Sequence, residues 1–194
     1  MDHGCKERPP SPRHGYLAFV DMSGGRRDSL TLAIAHKSGE QCFLDAVREY
    51  RRQPGQPPVD PAVVVEDMAK VLQSYRIAKV KGDNYAGEFP VSMFRAHGIK
   101  YEASEKNRSD IYIDTGPLLT AGVARLIDMP RLTAQLRQLE RRAHPSGRDK
   151  VNHGPGGHDD IANAVMGVLW LTSTVKALPP GMPGQRIRPA YSIT

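Results

Sequence analysis

A mixed α/β sheet covered by helices on both faces is the fold class this sequence predicts, and three observations predict it. Three strand-like runs follow one another near the N-terminus. Helix and strand patterns then alternate to the end. The 194 residues carry no internal repeat and suffice for one domain with a proper core.

The first run, "YLAFVDMS", is apolar and ends on Asp21, with "GGRRD" as a turn after it. "SLTLAIAHK" alternates like a second strand and "QCFLDAVREYR" like a third, so the start reads as an antiparallel meander. After the loop "RQPGQPPVDP", Asp60 is placed to cap a helix with Pro61 at its first position. Val64, Met68, Val71, Leu72 and Tyr75 then fall on one helical face.

"RIAKVKGD" is expected as a short strand ending near Asp83, followed by a helix over about 87–97 and the strand "IKYEA". "NRSDIYIDTGPLLTAGVA" reads as a helix that Gly116–Pro117 should kink or interrupt. "ARLID" is another short strand. Pro130 opens a helix on which Leu132, Leu136 and Leu139 share a face, and "GRDKVNHGPGG" is a loop with room for a hairpin or extended piece. The last helix is expected over about 159–175, with Ile161, Val165, Val168, Leu169 and Thr172 as its buried face. Residues 1–15 read as a flexible lead-in, 16–175 as the domain, and 176–194 as a proline-rich basic tail.

Composition narrows the function classes. There are 27 basic and 21 acidic side chains, a net charge of +6, which favours a polyanionic partner. The surplus is concentrated: Arg131, Arg137, Arg141, Arg142, Arg148 and Lys150 face only Glu140 and Asp149 in the same stretch. Cys5 and Cys42 have no metal-ligand spacing, so free thiols in a reducing cytosol are expected, with Cys42 in the core. No apolar run is long enough to span a membrane, and the N-terminus has no secretory h-region.

Within this basic chain, acids recur in one local setting: an apolar run delivers a carboxylate to the end of an element beside small residues. Asp21 follows "YLAFV", Asp83 follows "IAKVKG", and Asp159 and Asp160 follow "GPGGH". Hard divalent cations such as Mg²⁺ take oxygen ligands of this kind, and clustered carboxylates need a cation or a raised pKa to relieve their repulsion. The nearby glycines are expected to let a ligand approach the backbone. Adjacent Asp159 and Asp160 point about 100° apart on a helix, so one serves a site while the other caps or supports. His158 is a loop histidine with the same supporting role open to it. No GxxxxGK[ST] loop, GxSxG elbow, zinc-finger spacing or HExxH is present. An ATPase of the Walker type is therefore outside these 194 residues.

Taken together, "FVDMSGGRRDSLTLAIAH", "VKGDNYAGEFP", "SEKNRSDIY" and "LERRAHPSGRDKVNHGPGGHDDIANAV" resemble the C-terminal nuclease domain of the large terminase subunit of tailed phages and prophages. The resemblance runs from about residue 16 to 175, with the motifs in the family's order. It implies an RNase H-like (RuvC/integrase-type) fold and an endodeoxyribonuclease that cuts concatemeric viral double-stranded DNA during packaging. It also implies metal ligation by Asp21, by Asp83 and by one of Asp159 and Asp160, with 5′-phosphate and 3′-hydroxyl products. Two Mg²⁺ or Mn²⁺ ions would clamp the scissile phosphate, Asp21 bridging both. His158 and the remaining aspartate would support the ligands. Lys106, Arg108, Arg141, Arg142, Arg148 and Lys150 are the candidates to contact the DNA backbone. Expected partners are DNA, a packaging ATPase domain, the portal and the small terminase subunit, in the cytoplasm of a bacterial host. Two other readings compete: a Holliday-junction resolvase or transposase-like nuclease of the same fold, and a non-catalytic DNA-binding packaging module.

Overall fold

The computed structural model describes residues 1–22, 29–83, 89–143, 149–154 and 157–176. Its strands are β1 (Tyr16–Asp21), β2 (Leu30–Ser38), β3 (Gln41–Tyr50), β4 (Lys79–Gly82), β5 (Lys100–Ala103), β6 (Ala124–Arg125), β7 (Leu139–Arg142) and β8 (Lys150–His153). Its helices are α1 (Pro61–Ser74), α2 (Phe89–Ala96), α3 (Arg108–Thr120), α4 (Pro130–Arg137) and α5 (Asp160–Thr174). Six strands form one sheet in the order β5-β4-β1-β2-β3-β6, and β7 and β8 pair separately. The meander β1-β2-β3 is antiparallel, as its alternation predicts, whereas β4 runs parallel to both β1 and β5.

Alternation along β1 divides the core between the two faces. Phe19 points to one side, where it packs with Ala33, Ala35 and Leu44, Ile111 of α3, Leu132 of α4 and the apolar face of α5. Ala18 and Val20 point to the other, against Leu32, Ile34 and the α1 residues Val64, Val65, Met68 and Leu72. Asp60 caps α1, its side chain accepting from the Ala62 N–H at 2.9 Å, with Pro61 opening the helix. Helix α5 lies close enough to the sheet that a Cβ on Gly167 would sit 2.6 Å from the Phe19 ring. Ile161, Val165, Val168, Leu169 and Thr172 are fully buried, the face expected for them.

Three local expectations are corrected. Gly116–Pro117 does not interrupt α3, which runs on to Thr120. A proline near the C-terminal end removes one intrahelical N–H bond, and the last turn is closed here by the Ala121 N–H on the Pro117 carbonyl and by Thr120 Oγ1 on the same carbonyl at 3.2 Å. Leu139 is not on the α4 face: the helix ends at Arg137, and Leu139 opens β7, paired with His153. The glycine before Asp83 is not a gap for a ligand. A Cβ at Gly82 would meet Tyr101 Oη at 2.5 Å and the Val20 carbonyl at 2.7 Å, so the missing side chain is filled by protein.

Residues 1–15, expected as a lead-in, make specific contacts with the domain. The β2–β3 register steps from Ile34↔Ala46 to Ala35↔Leu44, leaving Asp45 as an extra, bulged residue. Its carbonyl accepts from the Arg8 N–H at 2.8 Å, and Tyr75 Oη donates to the Arg8 carbonyl at 2.6 Å. Asp2 forms a bridge to Ile127 and ion pairs with Arg8 and Arg125. Cys42 is buried, as expected, and burial raises its thiol pKa. Among the described residues no helix is long and apolar enough to cross a membrane. Of the expected tail, only Lys176 lies within the described residues.

Candidate active site

Parallel pairing of β1 with β4 sets the site. Their register couples Phe19 with Lys81 and Val20 with Gly82, and one further step brings Asp21 beside Asp83 at the same end of the sheet. Both acids are buried, Asp21 completely. Between them reaches Asn163 from the first turn of α5. Its Nδ2 donates to Asp21 Oδ2 at 2.8 Å and to Asp83 Oδ2 at 2.7 Å. An NH₂ group carries two hydrogens, so each carboxylate receives one. The other end of the same carboxamide, Oδ1, is buried with no hydrogen-bond partner among the described residues.

Two carboxylates this close repel. The Asp83 carboxyl is raised to about 6, first by burial and then by the charge of Asp21, with Asn163 and Arg108 opposing the rise and Asp159 adding to it. Tyr101 Oη donates to the Asp83 carbonyl at 2.9 Å and fixes the end of β4.

The two aspartates at the start of α5 diverge, as their helical offset requires. Asp159 holds the N-cap position, yet its side chain makes no capping bond. It accepts instead from Arg108 Nη1 at 3.0 Å and from Tyr112 Oη at 2.9 Å, with His153 Nε2 at 3.9 Å. Asp160 Oδ2 accepts from the Ser29 N–H at 3.0 Å, fastening the start of β2 to the helix. Arg108 is aimed by its own helix start: Asn107 caps α3, accepting from the Asp110 N–H at 3.0 Å. Burial disfavours the Arg108 charge, but Asp159, with Asp21 and Asp83 beyond it, outweighs this and raises its pKa.

Other expected residues lie around this centre in varied states. His158 is exposed on the loop before α5. The β7–β8 hairpin carries Arg141, paired with Asp149 at 2.5 Å, Arg142, paired with Glu140 at 2.5 Å, and exposed Lys150. Ser109 Oγ joins α3 to this hairpin through the Val151 carbonyl at 3.1 Å. Lys106 pairs with Asp114 and lies 5.6 Å from the centre of the Trp170 ring. Arg148 falls outside the described residues.

Sequence reasoning missed Asn163, Tyr112 and His153. For Asn163 a signal existed, since it is a polar residue inside the apolar run "IANAVMGVLWL", four residues after Asp159 on the same side of the helix. Tyr112 and His153 reach Asp159 from different elements, and no spacing announces that.

Among the described residues no group of three or more His, Cys, Asp or Glu side chains stands ready to hold an ion. The donor set nevertheless fits a hard cation: two convergent carboxylates, a buried carboxamide with an unused oxygen, and Asp159 coupled electrostatically to Asp83.

The fold is shared with the nuclease domains of large terminases from several phages. The nuclease of the large terminase from thermophilic phage G20c matches with a TM-score of 0.70 at 17% identity, over 84% of this chain and 85% of that one. The same nuclease with bound magnesium matches at 0.69 and 17%, over 84% of each chain. The large terminase of bacteriophage HK97 matches at 0.68 and 16%, over 86% of this chain but 41% of its own, so the present chain spans less than half of that protein. No family model matches the chain, and no curated protein matches it in sequence.

Proposed function

We propose that the protein is a metal-dependent DNA endonuclease of the terminase type, acting on double-stranded viral DNA during packaging. The observation that carries this reading is the convergence of Asp21 and Asp83 on one amide, at the strand ends of a fold shared with terminase nucleases, one of them magnesium-bound. Asp21, Asp83 and Asp159 would hold two Mg²⁺ or Mn²⁺ ions. When bound, such ions activate a water for attack on the scissile phosphate and stabilise the leaving 3′ oxygen.

The remaining chemistry belongs to the chain itself. Tyr112 and Arg108 hold the Asp159 carboxylate in place, and Asp160 locks α5 to β2. The partly exposed Arg108 guanidinium, paired with Asp159, would meet a backbone phosphate. Arg141, Arg142, Arg148 and Lys150 supply sequence-independent affinity for the DNA backbone, and Lys106 extends it; pairing with Glu140 and Asp149 tempers the hairpin's charge. Portal, small subunit and a packaging ATPase domain are the proposed partners, in the host cytoplasm.

The test is cleavage of supercoiled plasmid. Wild-type protein is expected to cut with Mg²⁺ or Mn²⁺ and not with chelator, and Asp21→Asn is expected not to cut. Wild-type protein that binds DNA yet never cuts with either ion would be a binding module. Cutting confined to four-way junctions would make it a resolvase.

A further inference from the structure

Asn163 sits where the two carboxylates meet, and the proposed chemistry gives it no step of its own. It is fully buried, its Nδ2 spans Asp21 and Asp83, and its Oδ1 has no partner among the described residues. A buried acceptor without a donor costs free energy that a purely structural asparagine would avoid. Asp159 has Arg108 and Tyr112, and Asp160 has the Ser29 N–H. Thr31 Oγ1 opposite Asp21 and Gln135 Nε2 beside the start of α5 share with Asn163 the lack of a partner among the described residues; of the three, only Asn163 spans both carboxylates. The backbone of Asn163 is also fixed, its N–H donating to the Asp159 carbonyl at 2.7 Å, so the side chain rather than the helix is the adjustable part.

We propose that Asn163 is a metal-responsive ligand: its NH₂ group stands in for the cation between Asp21 and Asp83 when no ion is bound, and its Oδ1 turns to the ion when one is. The physical logic is a change of sign at one position. Two carboxylates without an ion need a donor between them, and a carboxamide NH₂ is a neutral one. Once a cation takes that place, the same NH₂ faces a positive charge and is repelled. A half-turn about the Cβ–Cγ bond exchanges nitrogen for oxygen without moving α5, since the two ends of a carboxamide have nearly the same shape. The oxygen that has no partner among the described residues is then a hard neutral ligand, the type Mg²⁺ and Ca²⁺ accept alongside carboxylates. Using an amide instead of a third acid at this corner also limits the repulsion that the ion-free protein must bear.

The inference rests on the metal reading of the site, and the experiment separates the two. Side-chain amide signals of ¹⁵N-labelled wild-type protein, with the Asn163 pair identified by its loss in Asn163→Ala, are followed as Mg²⁺ is added. That pair is expected to shift and to exchange its hydrogens faster as it leaves the carboxylates. Calorimetric titration with Mn²⁺ should show Asn163→Ala binding about 10-fold or more weakly. Asn163→Asp should melt lower than wild-type in chelator and gain more from Mn²⁺. If wild-type binds Mn²⁺ while the Asn163 signals stay still, and both variants bind as wild-type does, the role of Asn163 is overturned and the metal site survives. If wild-type and Asp21→Asn are alike in failing to bind either ion, the metal site falls and this inference with it.

Discussion

Two buried polar clusters lie on the same sheet and are settled in opposite ways. At the β2–β3 bulge, both Asp45 oxygens lie within 2.9 Å of His36 Nδ1, and the imidazole is stacked between His14 and Phe43, with ring centroids 4.1 and 5.1 Å away. Burial raises the Asp45 carboxyl, and His36 opposes that rise. Acid meets base, aromatic rings cover the pair, and the Arg8 N–H takes the bulged carbonyl. At the β1–β4 end, acid meets acid. Asp21 and Asp83 share one neutral donor, and the far end of that donor is left over. In the first cluster an imidazole opposes the cost of burying the acid; in the second, burial and a neighbouring carboxylate both raise Asp83, and a cation would offset them. An acid paired with a base reports structure, and two buried acids facing one neutral donor fit a cation.

The sharpest way to break this comparison is to remove one acid from each cluster. Asp21→Asn is expected to lower metal-dependent plasmid cleavage by more than about 100-fold, beyond the loss typical of groups that merely support a ligand, while the protein stays folded. Asp45→Asn should cleave at close to the wild-type rate at temperatures where it is folded. Equal cleavage losses in both variants would erase the distinction.

A pH series sharpens it next. The folded Asp83 carboxyl titrates at about 6, above its ordinary value of 3.8, so the folded state holds the proton more tightly than the unfolded chain does. In chelator its cost is absent below about pH 4, grows as pH rises through that window, and is complete above pH 6, at about 3 kcal/mol. Asp83→Asn should therefore match wild-type stability near pH 4 and exceed it at pH 8 in urea unfolding, and Mn²⁺ should close the gap for wild-type alone. A gap that does not change with pH would show that the carboxylates do not repel.

Within the acid–base cluster the effects should be smaller and opposite in sign. Asp45→Asn leaves His36 with a poorer acceptor and is expected to destabilise by about 1–3 kcal/mol in the same unfolding measurement, with no dependence on Mn²⁺. His14→Ala removes one stacked ring at a partly exposed position and should cost about 0.5–1 kcal/mol. If His14→Ala instead changed the Mn²⁺ response, the two clusters would be coupled.

How much of this was legible in the sequence depends on the range of the interaction. The meander was readable because alternation along "YLAFVD", "LTLAIAHKS" and "QCFLDAVREY" is local, and so was the cap of α1 by Asp60 ahead of Pro61. Asp21 and Asp83 could be picked out because each ends an apolar run. What α5 contributes was read only in part: "HDD" draws the eye to its acids, while the residue that touches both strand-end carboxylates, Asn163, shows in the sequence only as a polar residue in an apolar run. Leu139 was misplaced because a leucine spaced for a helix face serves equally well at the start of a strand, and pairing with His153 decided the matter. Asp45 shows the same limit: nothing in "FLDAV" announces a bulge.

The sequence by itself determined the elements, their order and two acids delivered to strand ends, because periodicity, caps and chain punctuation act between near neighbours. Tertiary structure alone decided that β4 lies parallel beside β1, that Asn163 stands between the two carboxylates, and that Arg108 and Tyr112 claim Asp159. Those contacts join residues from 47 to 142 positions apart, and only the folded sheet, with α5 pressed against it through Gly167, brings them within hydrogen-bond reach.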